Sequence, residues 1–529
     1  MRHPKSTLYS PSLVAFAGIA LLASCAPLPG RNPGTGGSTG SGGAVGSAGS
    51  GGGSGSTGGT VGTTGSAGTG GTSAGRGGAS AGTAGSATGA AGSGTAGTGG
   101  SAGSAGAAGR GGSSGTTGSG GTAGTGGTGG TTPPRGPTPA ANGVNFPFPQ
   151  NRESTRCVYP TGYLNSDVMT AYAQFKTDTV VASGTGMRRI QRTPSDPVNQ
   201  YTPAMSTVSE GIAYGMLMAV YMGTKDDQML FDDLWRYSQA HLNGNGLMNW
   251  AITSGGMTVG AGGATDADED IAFALLMADK QWGSTGTLNY LNLAKAQINN
   301  VWLHEIVDSK LAGPGDSWGG ADLWKNINIS YFAPAFYRVF KMVDPGHDWD
   351  AVIKTVYDTI TVSLSSANGN MTNGLVPAWC TSTGGSSAAG PFHYQYDSCR
   401  TPFRIALDWC WFGETRARDY LMKTSNFFSG IGAANIVDGY DLNGAKHVQF
   451  SPATAAPTLA QQSASFLGPA GVGAMISNTY QTFINDSYAR VATGQMKVGG
   501  AYYDESWAVM SLLMMTGNFL DYTAQTPLR

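Results

Sequence analysis

Beyond about residue 140, apolar positions recur at three- and four-residue spacing in one segment after another, with Gly, Asn or Pro punctuation between them. This pattern predicts helices near 207–222, 227–242, 266–282, 287–303, 329–343, 349–365, 399–411, 415–428, 460–475, 479–490 and 504–516. Period-two alternation is scarce, so the domain is predicted to be all-α. Eleven or so helices joined in antiparallel pairs suggest helical hairpins set in a ring. Long loops at 244–263, 306–328 and 367–397 interrupt the series and carry Trp250, Trp318, Trp324, Trp379 and Tyr394. Loops of that length inside a compact helical domain are usually functional.

Three of these loop-to-helix boundaries carry carboxylates. Ala264 to Trp282 reads ATDADEDIAFALLMADKQW, a cluster of acids at the mouth of a helix whose next turns are apolar. Burying charge is costly. Thr265 as N-cap, with acids offsetting the helix dipole, accounts for part of the cluster. Thr207 and Glu210 have the spacing of a capping box, worth about 0.5–2 kcal/mol. Gly211 and Gly215 weaken the same helix by about 1 kcal/mol each, which predicts a close approach to their bare backbone. Asp397 follows Tyr394 and Tyr396 and precedes Arg400 and Arg404, so an ion pair with either arginine is expected.

Composition divides the 529 residues into three zones. Residues 1–25 read as an export signal, with basic Arg2, His3 and Lys5, an apolar stretch over 13–22, and Leu22-Ala23-Ser24-Cys25. That tetrapeptide resembles the lipobox of bacterial lipoproteins, which implies lipidation of Cys25 and a membrane anchor. Ala26 in place of Asp implies the outer membrane in a Gram-negative cell, and simple secretion is the alternative. The apolar stretch falls short of the roughly 20 residues a membrane span needs. Residues 26–140 are almost wholly Gly, Ser, Thr and Ala, and no acid precedes Glu153. Such a linker cannot bury enough apolar surface to offset its ordering entropy; as a disordered tether its ends would lie on the order of 55–60 Å apart.

Residues 141–529 form the folded domain. All 32 acids but 24 of the 30 Lys and Arg lie there, a formal net charge of −8. An acidic monomer of this kind suits a neutral polymer better than nucleic acid or anionic lipid. Cys157, Cys380, Cys399 and Cys410 allow two disulfides in an exported chain, or four buried thiols. Cys399 and Cys410, about three helical turns apart, are too distant to bridge each other. The six histidines show no paired ligand spacing, so no metal or other cofactor is expected. Asp266, Asp268 and Asp270 lack the turn glycine and distal glutamate of a calcium loop.

Together SEGIAYGM, ATDADEDIAFALLMADKQW and YDSCRTPFR, in that order, resemble the three signatures of glycoside hydrolase family eight, and the similarity runs from about Phe146 to Phe519. The resemblance implies an (α/α)6 toroid of six helical hairpins. It also implies an inverting hydrolase of β-1,4-linked polysaccharide, foremost an endo-1,4-β-glucanase, with xylanase, chitosanase or lichenase as alternatives. Glu210 is then the general acid, Asp266 the aspartate that holds the distorted sugar, and Asp397 the general base. Tyr331 approaches the attacking water, Arg400 steadies Asp397, and Trp250, Trp324 and Tyr396 contact sugar rings. Ser398 stands where many relatives have Ala.

The chemistry sets its own requirements. Inversion needs an acid and a base roughly 6.5–9.5 Å apart across a groove. Burial and the like charge of Asp266 must keep Glu210 protonated against the helix dipole, whereas Arg400 must keep Asp397 charged. A surface-anchored glycan-binding protein without catalysis is the rival, and intact Glu210 and Asp397 speak against it.

Overall fold

Twelve helices, one more than the hydropathy pattern predicts, are present in the computed structural model, whose described residues are 143–317, 324–370, 372–447, 449–450, 457–458, 462–494 and 502–523. The signal, Cys25, the linker, Trp318 and the start of the helix expected at 460–475 lie outside these residues. The helices are α1 (Asn165–Thr179), α2 (Ser209–Met222), α3 (Lys225–Gln239), α4 (Thr265–Trp282), α5 (Tyr290–Glu305), α6 (Pro334–Val343), α7 (Trp349–Ser363), α8 (Thr401–Leu407), α9 (Thr415–Ile431), α10 (Ala464–Ala474), α11 (Gln481–Ala492) and α12 (Tyr502–Met515). Neighbours pack in pairs: α2 on α3, α4 on α5, α6 on α7, α8 on α9, α10 on α11, and α12 on α1. Each even-numbered helix also touches the next, and α12 closes on α2. The result is the expected ring of six hairpins, with an inner and an outer circle.

Residue composition decides which circle a helix joins. Every residue of α2 and of α12 is buried, as befits helices apolar on all sides. In contrast α3 buries one stripe, including Leu230, Phe231, Leu234 and Trp235, and starts with a Thr224–Asp227 capping box. The close approach predicted at Gly215 is helix packing: a Cβ there would lie 2.8 Å from Leu234 Cδ1 and 3.0 Å from Ile190. The unpredicted helix, α1, buries Val168, Ala171, Tyr172, Phe175 and Thr179, an ordinary amphipathic stripe.

Short strands occupy the loops. β1 (Val180–Ala182) pairs with β2 (Arg188–Ile190), and β3 (Thr207–Val208), β4 (Ala251–Ile252) and β5 (Thr258–Gly260) form an antiparallel sheet in that order. The helix predicted at 399–411 is composite, with a 3-10 turn at Ser398–Arg400, then α8, then a wider π turn over Asp408–Phe412. One disulfide joins Cys157 to Cys410 at a Cα separation of 5.5 Å, while Cys380 and Cys399 are buried free thiols. Neither two bridges nor four thiols describes the chain.

Candidate active site

Inner helices α2 and α4 each present an acid as their second residue, Glu210 and Asp266, and Asp397 directly precedes the 3-10 turn leading into α8. The capping explanations for these acids fail. Thr207 is paired in β3 opposite Ile252, and its hydroxyl accepts from Arg189 Nη1 at 3.0 Å. Val208 therefore occupies the N-cap of α2 without a side-chain bond, and Glu210 is released from capping. At α4 the N-cap is Ala264, with Thr265 already inside the helix.

What organises the three acids is Arg400. Its Nη1 donates to Glu210 Oε2 at 2.5 Å and to Asp266 Oδ2 at 2.6 Å, and its Nη2 lies 3.5 Å from Asp397 Oδ1. Tyr214 and Ser330 complete the surroundings of the guanidinium, at 3.2 Å from Nη1 and 2.8 Å from Nη2. The sequence assigns Arg400 to Asp397 alone; the fold gives its shorter bonds to the other two carboxylates, because closing the ring brings the heads of α2 and α4 to the same place. Glu210 and Asp397, nearly two hundred positions apart, thus flank one guanidinium. Glu210 Oε1 also accepts from Tyr502 OH at 2.7 Å.

The site is deeply buried. The side chains of Glu210 and Asp397 keep only 1% and 5% of their exposure. Arg400, itself fully buried, draws the carboxylates inward. Burial pushes the Asp397 carboxyl up to about 6, against the opposing pull of Arg400 and a hydrogen bond from Gln395 and with the repulsion of Glu210. Arg400 therefore does not hold this acid in the ordinary carboxylate range, as the sequence suggests it should. Asp266 is also raised by burial, with Arg400 and Arg404 opposing. Arg404 engages Asp270 instead of Asp397, with Nη2 at 2.9 Å from Asp270 Oδ2.

The aromatic assignments divide. Trp250 is 1% exposed, and its ring lies so close to Gly260 that a Cβ there would sit 2.3 Å from Trp250 Cε2. It fills the core and offers no free face to a sugar, because the bare glycine lets the loop fold onto it. Trp324 is half-buried and donates to Asp308 Oδ2 at 2.8 Å, so it keeps part of its surface. Tyr331 is buried beneath the Arg400 guanidinium, whose carbon lies 5.1 Å from the ring centre. Tyr396 is also buried; its hydroxyl donates to Asp438 Oδ2 at 2.7 Å. The sequence reading overlooks Tyr502, Ser330 and Gln395. Tyr502 lies inside the span from Phe146 to Phe519 over which the resemblance runs, and Gln395 sits two residues before Asp397, next to the third signature.

Among the described residues no group of three or more His, Cys, Asp or Glu side chains is arranged to hold a metal ion. The family model for glycosyl hydrolases family 8 matches residues 148–517. Over 390 residues the chain is 36% identical to Endoglucanase 2 of Ruminiclostridium josui, covering 71% of this chain and 77% of that protein. Over 354 residues it is 37% identical to Endoglucanase A of Acetivibrio thermocellus, covering 66% and 68%. Among solved structures, the apo β-1,3-1,4-glucanase of Paenibacillus sp. X4 matches with a TM-score of 0.62 at 29% identity, over 71% of this chain and 99% of that one. The matched span contains the whole ring and all three carboxylates, and the chain belongs to glycosyl hydrolases family 8 and is a glycoside hydrolase.

Proposed function

We propose that this hydrolase is an inverting endo-1,4-β-glucanase in which Glu210 is the general acid, Asp397 the general base, and Asp266 the residue that holds the sugar at the scissile bond. The observation that carries the assignment is the single guanidinium of Arg400 on which all three carboxylates meet. One guanidinium balances one carboxylate, so a buried trio favours protons on the others. Catalysis then transfers a charge across Arg400. Glu210 gives its proton to the departing glycosidic oxygen, and the carboxylate left behind faces Arg400 Nη1 at 2.5 Å and Tyr502 OH at 2.7 Å. Asp397 takes a proton from the attacking water and becomes neutral in an interior that already resists its charge. The cluster's total charge is unchanged, which limits the electrostatic cost of the step.

The endoglucanase names of the relatives at 36–37% identity support β-glucan as substrate. A mixed-linkage β-glucan is the second reading, favoured by the β-1,3-1,4-glucanase structure. Carboxymethylcellulose, lichenan, xylan and chitosan tested side by side, with the product anomer followed by NMR, decide the matter. First-formed α-anomer from a β-linked glucan is expected. Retention of configuration refutes the mechanism, and the absence of new reducing ends from any polymer favours a glycan-binding protein.

The protein is further proposed to be an exported monomer anchored through a lipid on Cys25. The Cys157–Cys410 bridge supports export, since disulfides persist in oxidising compartments. Mass analysis of the mature N-terminus should find Cys25 carrying acyl chains. Cys25→Ala should release the enzyme from the membrane fraction, and a membrane-bound variant would refute the anchor.

A further inference from the structure

Two carboxamides face the carboxylate of Asp397. Gln395 Nε2 donates to Asp397 Oδ2 at 2.5 Å, from a side chain that is itself buried. Asn328, in the turn before α6 and 2% exposed, lies beside the same carboxylate and favours its charged form, and its buried Nδ2 is left without a hydrogen bond of good geometry, free to be drawn to Asp397. The orientation of that amide is fixed by its other end. Asn328 Oδ1 already accepts from Ser330 N at 3.1 Å and from Ser330 Oγ at 2.7 Å, so the end left to face Asp397 is the donor. Ser330 Oγ in turn accepts from Arg400 Nη2 at 2.8 Å, which leaves its own hydrogen for Asn328. The chain of donors runs from Arg400 through Ser330 to Asn328, whose remaining amide hydrogens are left on the side of Asp397.

We propose that Gln395 and Asn328 are the positioning residues of the base, two neutral donors that aim the Asp397 carboxylate and favour its ionised form. The inference rests on the reading of Asp397 as general base. It answers a need the site itself creates. Arg400 is spent mainly on Glu210 and Asp266, at 2.5 and 2.6 Å, and reaches Asp397 only at 3.5 Å. A buried base so weakly paired requires hydrogen bonds to its charged form if it is to work below neutral pH. The charged and titratable groups around it are Arg400 and Cys399 on its own turn, Glu210 at the head of α2, Asp266 at the head of α4, Tyr331 before α6, and Tyr503 in α12, whose hydroxyl donates to the Tyr396 carbonyl at 2.6 Å. None but Arg400 brings a positive charge.

The test is the pH profile of kcat/KM on soluble β-glucan for the full chain and two variants. Gln395→Met removes a donor while keeping side-chain length, and is expected to move the acidic limb up by about one pH unit. Asn328→Asp keeps an oxygen for both Ser330 bonds but replaces the donor facing Asp397 with a second negative oxygen; it should move the limb further, with about a tenfold loss of rate per unit on the acidic side. Unchanged limbs in both variants, with activity lowered equally at every pH, would mean a purely structural role and overturn the proposal. Asp397→Asn separates the two levels of the argument. If it is inactive while the limbs stay fixed, only the positioning inference fails; if it keeps full turnover, the base assignment fails and this inference with it.

Discussion

Arg400 and Arg404, one turn apart and both buried, each meet acids of α4 in opposite circumstances. Arg404 engages Asp270 with both terminal nitrogens, while the neighbouring Glu269 lies 3.7 Å from Arg404 Nη1 and takes its hydrogen bond from Tyr337 OH at 2.8 Å. Arg400 divides one nitrogen between Glu210 and Asp266 and reaches Asp397 with the other. The deeper level is a two-point fork that fixes geometry. The upper level sets three carboxylates around one guanidinium without such a fork, which favours a proton shared among them. The same residue types on α4 and on the α8 segment thus give a structural clamp at one level and acid–base chemistry at the next.

The largest effect that would break this comparison is on turnover. Glu210→Gln and Asp397→Asn should each lower kcat by about 10²- to 10⁴-fold, with circular dichroism unchanged. Full turnover in both would refute the upper level as the seat of chemistry. Arg404→Met should instead act on folding. Leaving Asp270 buried and unpaired costs about 3–5 kcal/mol, measurable by urea denaturation. A loss of activity without a loss of stability would erase the distinction between the levels.

A third effect runs the other way. Asp397 is raised from 3.8 to about 6 in the folded chain, so the folded state binds the proton more tightly than the unfolded one. The stability that its proton confers is complete at low pH and fades as the pH rises through that interval. Asp397→Asn, which cannot ionise, should therefore exceed wild type in stability at pH 7 by up to about 3 kcal/mol, with the gap closing toward pH 4. The same titration sets activity in the opposite sense, and kcat/KM of the wild type should fall as the pH drops through about 6, since the base must be charged. An acidic limb near pH 4 would contradict this. The smallest effect is expected at Trp324, and it sets that ring apart from Trp250. Trp324→Ala should raise KM a few-fold at constant stability, whereas Trp250→Ala should cost about 3–5 kcal/mol of stability, the ordinary result of emptying a core site.

Much of this was legible in the chain. The apolar period marks the buried helices, and the three acid-bearing segments stand at the boundaries where the structure puts Glu210, Asp266 and Asp397. The helix α1 was equally readable, since Val168, Ala171, Tyr172 and Phe175 keep helical spacing, but a mostly polar composition hides it. Other features depend on distant partners. Thr207 has the capping-box spacing with Glu210, and only its strand partner Ile252 shows that it does not cap. The sharing of Arg400 arises from ring closure between segments 134 and 190 residues away from it. Trp250 lies in a glycine-rich loop of the kind that presents sugar-binding rings, yet Gly260 allows the backbone to press against it and seal it in.

The bond between Cys157 and Cys410 closes a loop of 253 residues and also decides where a pull on the N-terminal side of the domain is borne. Residues 145–158 cross the ring, held by bonds to Gln281, Asn518 and Met475. Peeled from its outer end, such a segment would give way one hydrogen bond at a time. The sulfur link stops that unzipping at Cys157 and hands the load to Cys410 in the ring, upstream of α1, so a pull applied before Cys157 would leave the hairpins downstream in register.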